Sequence, residues 1–197
     1  MDEGETVNLL FFDVETTGLD PQYHEIIDIC LVETDRMGNE IKRYSSLIIP
    51  LDISKASHEA LEVNGYSEEK WKENHAVEYI AVMDEIYNKW WNDCTQEEQR
   101  KKLIPIGWNI PFDISFVKQH FSQLYRRFHH HSLDLMSLYW PLLIEFERPS
   151  LKKMWEVWTG QKELPNAHSA EGDVEACLTM YREGIAHWSQ YLPHGRY

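Results

Sequence analysis

Three apolar segments with the character of β-strands open the chain. Residues 7–14 (VNLLFFDV) form a compact apolar run with no helical period, which is typical of a buried central strand. Residues 25–35 and 41–49 predict two further strands, and residues 37–39 (MGN) between them have hairpin-turn chemistry. The opening of the chain therefore predicts an antiparallel meander.

Beyond residue 50 the apolar residues recur at helical spacings. This spacing predicts helices over residues 54–63, 77–91, 111–125 and 150–159, and a last helix from residue 169 onward. Short apolar runs at 103–108 and 133–138 predict additional strands. Strands followed by helices interleaved with short strands indicate a mixed-sheet α/β domain.

Length and composition indicate a globular protein. The chain of 197 residues is 43% hydrophobic, so we expect one domain over residues 1–197 with an ordinary core. Three widely spaced cysteines without a CxxC pattern predict reduced, buried thiols. The acidic N-terminus does not resemble a signal peptide, and no apolar stretch approaches the roughly 18 residues that span a bilayer. We therefore expect a soluble, cytoplasmic protein without membrane partners.

The formal net charge of −14, from 33 acidic and 19 basic residues, argues against a protein that grips long duplex. Such a protein normally carries a basic face that contacts many phosphates. Bound cations can reverse the sign of the charge locally, so a nucleic-acid role is not excluded. The charge favours a short or single-stranded contact near one end of a strand.

The end of the first predicted strand carries two acids. Asp13 and Glu15 are two residues apart, so both side chains project from the same face of a strand. Two neighbouring carboxylates on an apolar strand repel each other, and a divalent cation would remove that repulsion. Taken alone, the pair is equally typical of a strand that emerges into water.

A second acid stands at the start of a predicted helix. Asn109 is suited to an N-cap, and Pro111 is acceptable in a first helical turn, which places Asp113 in that turn. Acids are common there because they interact favourably with the helix dipole, so Asp113 alone is a weak indication of a site.

A third candidate segment surrounds the start of the last helix. With a helix from about Ser169, His168 lies in the preceding loop and Asp173 about one turn inside. A loop histidine beside a helical carboxylate suits acid–base chemistry. A surface histidine and a solvated acid would have the same sequence appearance.

Together, in this order, the three segments resemble the DEDDh family of 3′→5′ exonucleases, which share the RNase H-like fold. Residues 12–19 (FDVETTGL) are similar to the first family motif. Asn109 to Asp113 is similar to the second motif, N-x-x-x-D, and His168 to Asp173 to the third, H-x-A-x-x-D. Residues 59–65 resemble a family segment near the substrate end. Trp108 departs from the histidine that often precedes this asparagine.

The resemblance implies a single exonuclease domain with an RNase H-like mixed sheet flanked by helices. It implies catalysis with two Mg²⁺ or Mn²⁺ ions, consistent with an oxygen-only ligand set. Asp13 would bridge the ions, Glu15 and Asp173 would complete one, and Asp113 would hold the other. His168 would act as the general base, and the products would be nucleoside 5′-monophosphates.

The resemblance also implies a substrate site for a single-stranded DNA or RNA 3′ end. The residues expected there are Thr16, Thr17, Gly18, Leu19 and Asn109, with Leu19 beside the last base. The wording of the first motif is closer to proofreading-type DNA exonucleases, which favours DNA. An exoribonuclease of RNA 3′ ends or short oligoribonucleotides is the alternative. A catalytically retired binding module is the non-enzymatic alternative, against which stands the presence of all five catalytic side chains.

Overall fold

A six-stranded mixed sheet runs through the computed structural model, which describes residues 7–143, 150–166 and 169–190. The strands are β1 (Asn8–Thr16), β2 (Ile26–Thr34), β3 (Glu40–Ile49), β4 (Val77–Glu78), β5 (Leu103–Gly107) and β6 (Leu133–Asp134). Their order across the sheet is β4-β3-β2-β1-β5-β6. The pairs β1/β2 and β2/β3 are antiparallel, whereas β1/β5, β5/β6 and β3/β4 are parallel. The predicted antiparallel meander within a mixed sheet is therefore confirmed.

Helices pack on both faces of this sheet. They are α1 (His58–Val63), α2 (Glu68–Glu73), α3 (Tyr79–Tyr87), α4 (Gln96–Arg100), α5 (Pro111–His120), α6 (Ser122–Tyr125), α7 (Leu135–Tyr139), α8 (Leu151–Thr159) and α9 (Ala170–Ser189). Short 3₁₀ segments at Ile53–Lys55 and Trp140–Leu143 and a π-helical turn at Asn88–Asn92 accompany them. Within the described residues, no helix is long and apolar enough to cross a membrane.

Two of the predicted helices are shorter than their apolar spacing indicates. The region 54–63 is divided, because Ala56 is extended and Ser57 begins α1 by accepting a hydrogen bond from the Ala60 amide at 3.4 Å. Residues Val77–Glu78 pair with the end of β3 as an edge strand, so the following helix begins only at Tyr79. The starts of these two helices depend on a cap hydrogen bond and on strand pairing, and the spacing of apolar residues predicts neither.

The predicted strand over 133–138 is wrong beyond Asp134. Leu133 and Asp134 do pair with β5, but the Asp134 side chain then accepts a hydrogen bond from the Met136 amide at 3.2 Å and begins α7. The predicted helix from Pro111 breaks at Phe121, which separates α5 from α6. The predicted helix over 150–159 is confirmed, with Ser150 as its N-cap and left-handed Gly160 as its C-cap.

The alternation of side chains along β1 divides the core into two layers. Leu9 and Phe11 belong to the cluster that α9 covers, whereas Leu10, Phe12 and Val14 belong to the cluster on the opposite face. The rings of Phe11 and Tyr181 meet edge to face at 5.1 Å between centroids, so α9 lies along β1. The next residues on the α9 face of β1 are positions 13 and 15.

The strand β5 is shorter than β1, and this difference exposes one edge of β1. The β1/β5 pairing ends at Phe11 and Ile106, after which the chain turns at Gly107 into α5. A Cβ at Gly107 would lie 2.8 Å from the Phe12 carbonyl oxygen, so glycine permits this close passage. The last residues of β1 therefore face the start of α5 instead of another strand.

Candidate active site

Asp13 and Glu15 lie half-buried at the end of β1, on the face that α9 covers. In the antiparallel register Asp13 is opposite Cys30 and Glu15 is opposite Asp28 on β2. The strand period thus brings both carboxylates to one side, as the sequence predicts.

Asp113 reaches the same place from the first turn of α5. It is buried, and its Oδ1 accepts a hydrogen bond from the Val14 amide at 3.0 Å, between the positions of the two β1 acids. Because β5 has already ended, this carboxylate satisfies an amide that would otherwise have no partner on that edge. The helix dipole alone would explain an acid at this position, but it would not explain the hydrogen bond to the Val14 amide.

Asn109 is not the N-cap of α5. Its backbone is left-handed, with φ of 56°, and its amide donates to Asp134 Oδ1 at 2.9 Å. Ile110 occupies the cap position, and no side chain makes a cap hydrogen bond there. The expectation of an asparagine cap is therefore wrong, while the placement of Asp113 in the first turn is confirmed.

Asp173 is presented by the first turn of α9. Ser169 is the N-cap, and its hydroxyl accepts a hydrogen bond from the Gly172 amide at 3.1 Å. Asp173 lies on the side of the helix that continues into the buried residues Val174 and Cys177, so it faces the sheet. His168, the predicted general base, lies outside the described residues.

Asp13, Glu15, Asp113 and Asp173 lie close enough together for their charges to act on one another's pKa values. Burial raises the pKa of Asp13 well above its ordinary value, and the negative charges of Asp113, Asp173, Glu15 and Asp28 raise it further. Burial, followed by Asp173 and Asp28, raises the pKa of Glu15 to about 7. Burial is also the largest cause of the raised pKa of Asp113 and of Asp173, the latter to about 6. Segments 13–15, 113 and 173 thus converge at the end of β1.

A fifth acid in this cluster, Asp28, was not predicted as a site residue. It is 5% exposed, and burial raises its pKa to about 6 against the lowering effect of hydrogen bonds from the Ala170 and Ile29 amides. The sequence signal was a single acid within the apolar run IIDIC. Only the register with β1 reveals that this acid lies opposite Glu15.

The donor chemistry of the cluster fits a hard divalent cation. The converging side chains offer carboxylate oxygens only, which Mg²⁺ and Mn²⁺ prefer, and a cation would relieve the repulsion that raises their pKa values. Among the described residues, however, no three His, Cys, Asp or Glu side chains form a ready-made ligand set for a metal ion.

A cavity of about 270 Å³ adjoins Glu15. Its walls include Thr16, Gly18 and Leu19 from the end of β1 and the turn after it, and Phe112 from α5. The remaining walls come from the segment around α1, with the side chains of Ser57, Glu59, Ala60, Val63 and Asn64. Leu19 is 81% exposed at its rim, which leaves its side chain free to contact a ligand.

Two of the predicted substrate residues lie away from this cavity. Thr17 is buried, and its hydroxyl accepts a hydrogen bond from the Glu25 amide at 2.9 Å. Asn109 lies at the turn between β5 and α5. Asn64, in contrast, lines the cavity and donates from Nδ2 to the Thr16 carbonyl at 2.8 Å, which fixes α1 to the end of β1.

The loop before α9 is packed directly on the helix. A Cβ at Gly172 would lie 2.6 Å from the carbonyl oxygen of Asn166, and closer still to that of Pro165. Asn166 is left-handed, with φ of 42°, and its carbonyl accepts from the Ser169 hydroxyl at 2.7 Å. Only a residue without a side chain allows this packing beside Asp173.

Comparison with known proteins gives one family and several relatives. The family model RNase_T, an exonuclease family, matches residues 10–181. An oligoribonuclease of Nitrosomonas eutropha is 26% identical over 200 residues, which cover 94% of this chain and 95% of the relative. The DNA polymerase III subunit epsilon of Treponema pallidum is 25% identical over 196 residues, which cover 96% of this chain and 82% of the relative.

Solved structures with the same fold include two forms of exonuclease I. The E. coli enzyme, in complex with a dT13 oligonucleotide, has a TM-score of 0.69 and 18% identity over 94% of this chain. The Methylocaldum szegediense enzyme has a TM-score of 0.66 and 18% identity over 93% of this chain. The chain spans only 42% and 41% of those two structures. At this identity the likeness confirms the predicted RNase H-like fold and says nothing of the substrate.

The clustered carboxyls predict that the metal-free protein becomes less stable as pH rises. Their pKa values are higher in the folded chain than in the unfolded chain, so their stabilising contribution is complete below about pH 4. It is lost as pH rises through about 6 to 7. In EDTA at pH 8, Asp13→Asn should therefore raise the free energy of unfolding by about 1–3 kcal/mol, with a smaller gain at pH 5.

Thermal unfolding at the two pH values measures this difference. Addition of Mn²⁺ at pH 8 should stabilise the wild type and have little effect on Asp13→Asn. A variant that is less stable than the wild type in EDTA at pH 8, or a wild type indifferent to Mn²⁺, would contradict the electrostatic interpretation.

The loop packing at Gly172 predicts a steric cost for any side chain there. Gly172→Ala should lower the free energy of unfolding by about 1–3 kcal/mol, because two backbone carbonyls must move. Urea unfolding is the measurement, and Thr179→Ala, at a half-exposed position of the same helix, is the matched control. Equal stability of Gly172→Ala and the control would show that the loop yields without cost.

Proposed function

Because this chain belongs to the RNase_T family of exonucleases, we propose that the carboxylates around the end of β1 form the metal centre of a 3′→5′ phosphodiester hydrolase. The observation that supports the proposal most is the contact between Asp113 and the Val14 amide, which joins segments 99 residues apart beside Asp13 and Glu15. A catalytically retired binding module is not favoured, since all five side chains of the catalytic motifs are present in the sequence.

The proposed ligands divide by position. Asp13 lies centrally, since all four of the other acids raise its pKa, and it would bridge two Mg²⁺ or Mn²⁺ ions. Glu15, whose pKa is raised by the nearby charge of Asp173, would complete one ion together with Asp173, and Asp113 would hold the second. When bound, such ions neutralise these carboxylates, activate water and stabilise charge on the phosphate that is cleaved.

His168 is the proposed general base. An imidazole has a reference pKa of about 6.5, so at neutral pH it can accept a proton from the attacking water. Attack at phosphorus breaks the bond to the 3′ oxygen of the preceding nucleotide. That oxygen leaves with a proton, and the products are a nucleoside 5′-monophosphate and a strand shortened by one residue.

The cavity beside Glu15 is the proposed site for the terminal nucleotide. Phe112 and Val63 supply apolar walls for a base, and exposed Leu19 would contact the base edge. Glu15 and the backbone at Thr16 would recognise the terminal 3′-OH. Thr17 would contribute indirectly, through its hydrogen bond to the Glu25 amide. A side chain at Gly18 would require the His24 ring to move, because a Cβ would overlap that ring.

We propose short single-stranded RNA ends as the preferred substrate. The oligoribonuclease relatives align over nearly the whole chain, and a net charge of −14 disfavours long contacts with a phosphate backbone. DNA ends are the second candidate, favoured by the similarity to a DNA polymerase III subunit epsilon and by the wording of the first motif. The preference for DNA predicted from that motif remains a prediction that one assay tests.

The assay compares RNA and DNA strands of identical sequence, each at a short and a long length and each single- or double-stranded. With Mg²⁺, we expect ladders that shorten from the 3′ end, nucleoside 5′-monophosphates as products and the fastest cleavage on short single-stranded RNA. Asp13→Ala is the inactive control. Faster cleavage of DNA would select the second candidate, and full activity of Asp13→Ala would remove the metal centre proposed here.

Replacement of His168 predicts a separate effect on the chemical step. His168→Ala should lower kcat by about 10²–10⁴-fold while leaving Mn²⁺ affinity close to that of the wild type. Single-turnover rates and Mn²⁺ titration measure the two quantities independently, and His187→Ala, near the C-terminal end of α9, is the control. Parallel losses of rate and metal affinity would assign a structural role to His168.

A further inference from the structure

We propose that Asp28 is a positioning residue that fixes the first turn of α9, and with it Asp173, against the sheet. The inference rests on the proposed function of the carboxylate centre and adds a residue that the sequence motifs do not contain. Asp28 would act through the helix and not as a ligand.

The contact that carries the inference joins β2 to the start of α9. Asp28 Oδ2 accepts a hydrogen bond from the Ala170 amide at 3.1 Å, and both residues are buried. The first amides of a helix have no partner within the helix. The cap residue Ser169 serves the Gly172 amide, so the Ala170 amide depends on a carboxylate from another element 142 residues away.

Asp28 occupies a buried position of β2 where an apolar residue would avoid the cost of burying a carboxyl. The next residues on the same face of β2 are Cys30 and Val32, both in the core beneath α9. No ion pair to Asp28 occurs among the described residues, and the charge of Lys70 lowers its pKa by less than burial raises it. A stabilising role alone does not account for a carboxylate here, whereas fixing a helix start does.

The position of Ala170 determines where Asp173 lies relative to the other carboxylates. Asp173 follows Ala170 by three residues, a rise of about 4.5 Å along one helical turn. Asp28 is itself opposite Glu15 in the β1/β2 register. A single side chain therefore sets the distance between the acid carried by α9 and the acids carried by β1.

A second contact holds the same turn from the solvent side. Arg43 on β3 pairs with Glu171 at 3.4 Å and also with Glu175, both on α9. The Arg43 side chain is 26% exposed and those of Glu171 and Glu175 are 42% and 33% exposed, so solvent partly screens these ion pairs. We therefore expect the buried contact of Asp28 to dominate and the Arg43 contact to assist.

The test compares two substitutions of Asp28. Asp28→Ala removes the acceptor, and kcat on a short single strand should fall about 10- to 100-fold with little change in KM, together with weaker Mn²⁺ binding. Asp28→Asn keeps an oxygen that can accept from the Ala170 amide, so it should recover most of the activity. Thr95→Ala, which removes the capping box of α4, controls for the general loss of one helix cap.

Hydrogen–deuterium exchange at residues 170–173 provides a readout that does not depend on activity. Exchange should be faster than in the wild type for Asp28→Ala and close to the wild type for Asp28→Asn. An Asp28→Asn variant as inactive as Asp28→Ala, with normal exchange, would overturn positioning and indicate that the charge itself is needed. Unchanged activity and exchange in Asp28→Ala would also overturn it, whereas an inactive wild type would instead refute the proposed function.

Discussion

The end of β1 holds several carboxyls that repel one another, and the elements around it are arranged to keep them together. Asp13 and Glu15 extend a strand whose preceding residues are core on both faces, so they cannot turn away into water without breaking the strand. Asp113 and Asp173 are brought to the same place by helices with their own anchors. The folded chain therefore holds these carboxyls close together, and their burial and mutual repulsion raise their pKa values.

Unequal strand lengths make this arrangement possible. Had β5 continued beside β1, its backbone would have taken the Val14 amide, and α5 would have begun too far away to present Asp113. On the other side, the antiparallel partner β2 runs the full length of the acidic segment and supplies Asp28. The carboxylate cluster thus lies where β1 extends beyond β5, with β2 on one side and the start of α5 on the other.

Much of this site could be predicted from local pattern. The two-residue period of a strand places Asp13 and Glu15 together, and helix-start chemistry places Asp113 and Asp173 in first turns. Asp28 could not be found in that way, because every residue of β2 is buried and its burial pattern has no period. Its partner Glu15 is fixed by the register between β1 and β2, which is a long-range contact. The left-handed backbone of Asn109 likewise lies beside a close approach, that of Gly107 to the Ile110 side chain, which the local pattern does not contain.

The proposed double role of Asp113, as a metal ligand and as the acceptor for the Val14 amide, bears on how an inactive protein should be made for trapping a bound strand. Alanine at this position would leave the buried Val14 amide without an acceptor, so lost turnover could reflect a displaced strand end as readily as a missing ligand. Asparagine retains an oxygen for that amide while removing the charge. For crystals of a complex, Asp113→Asn is therefore the better variant, because it keeps the contact to the Val14 amide and removes the charge.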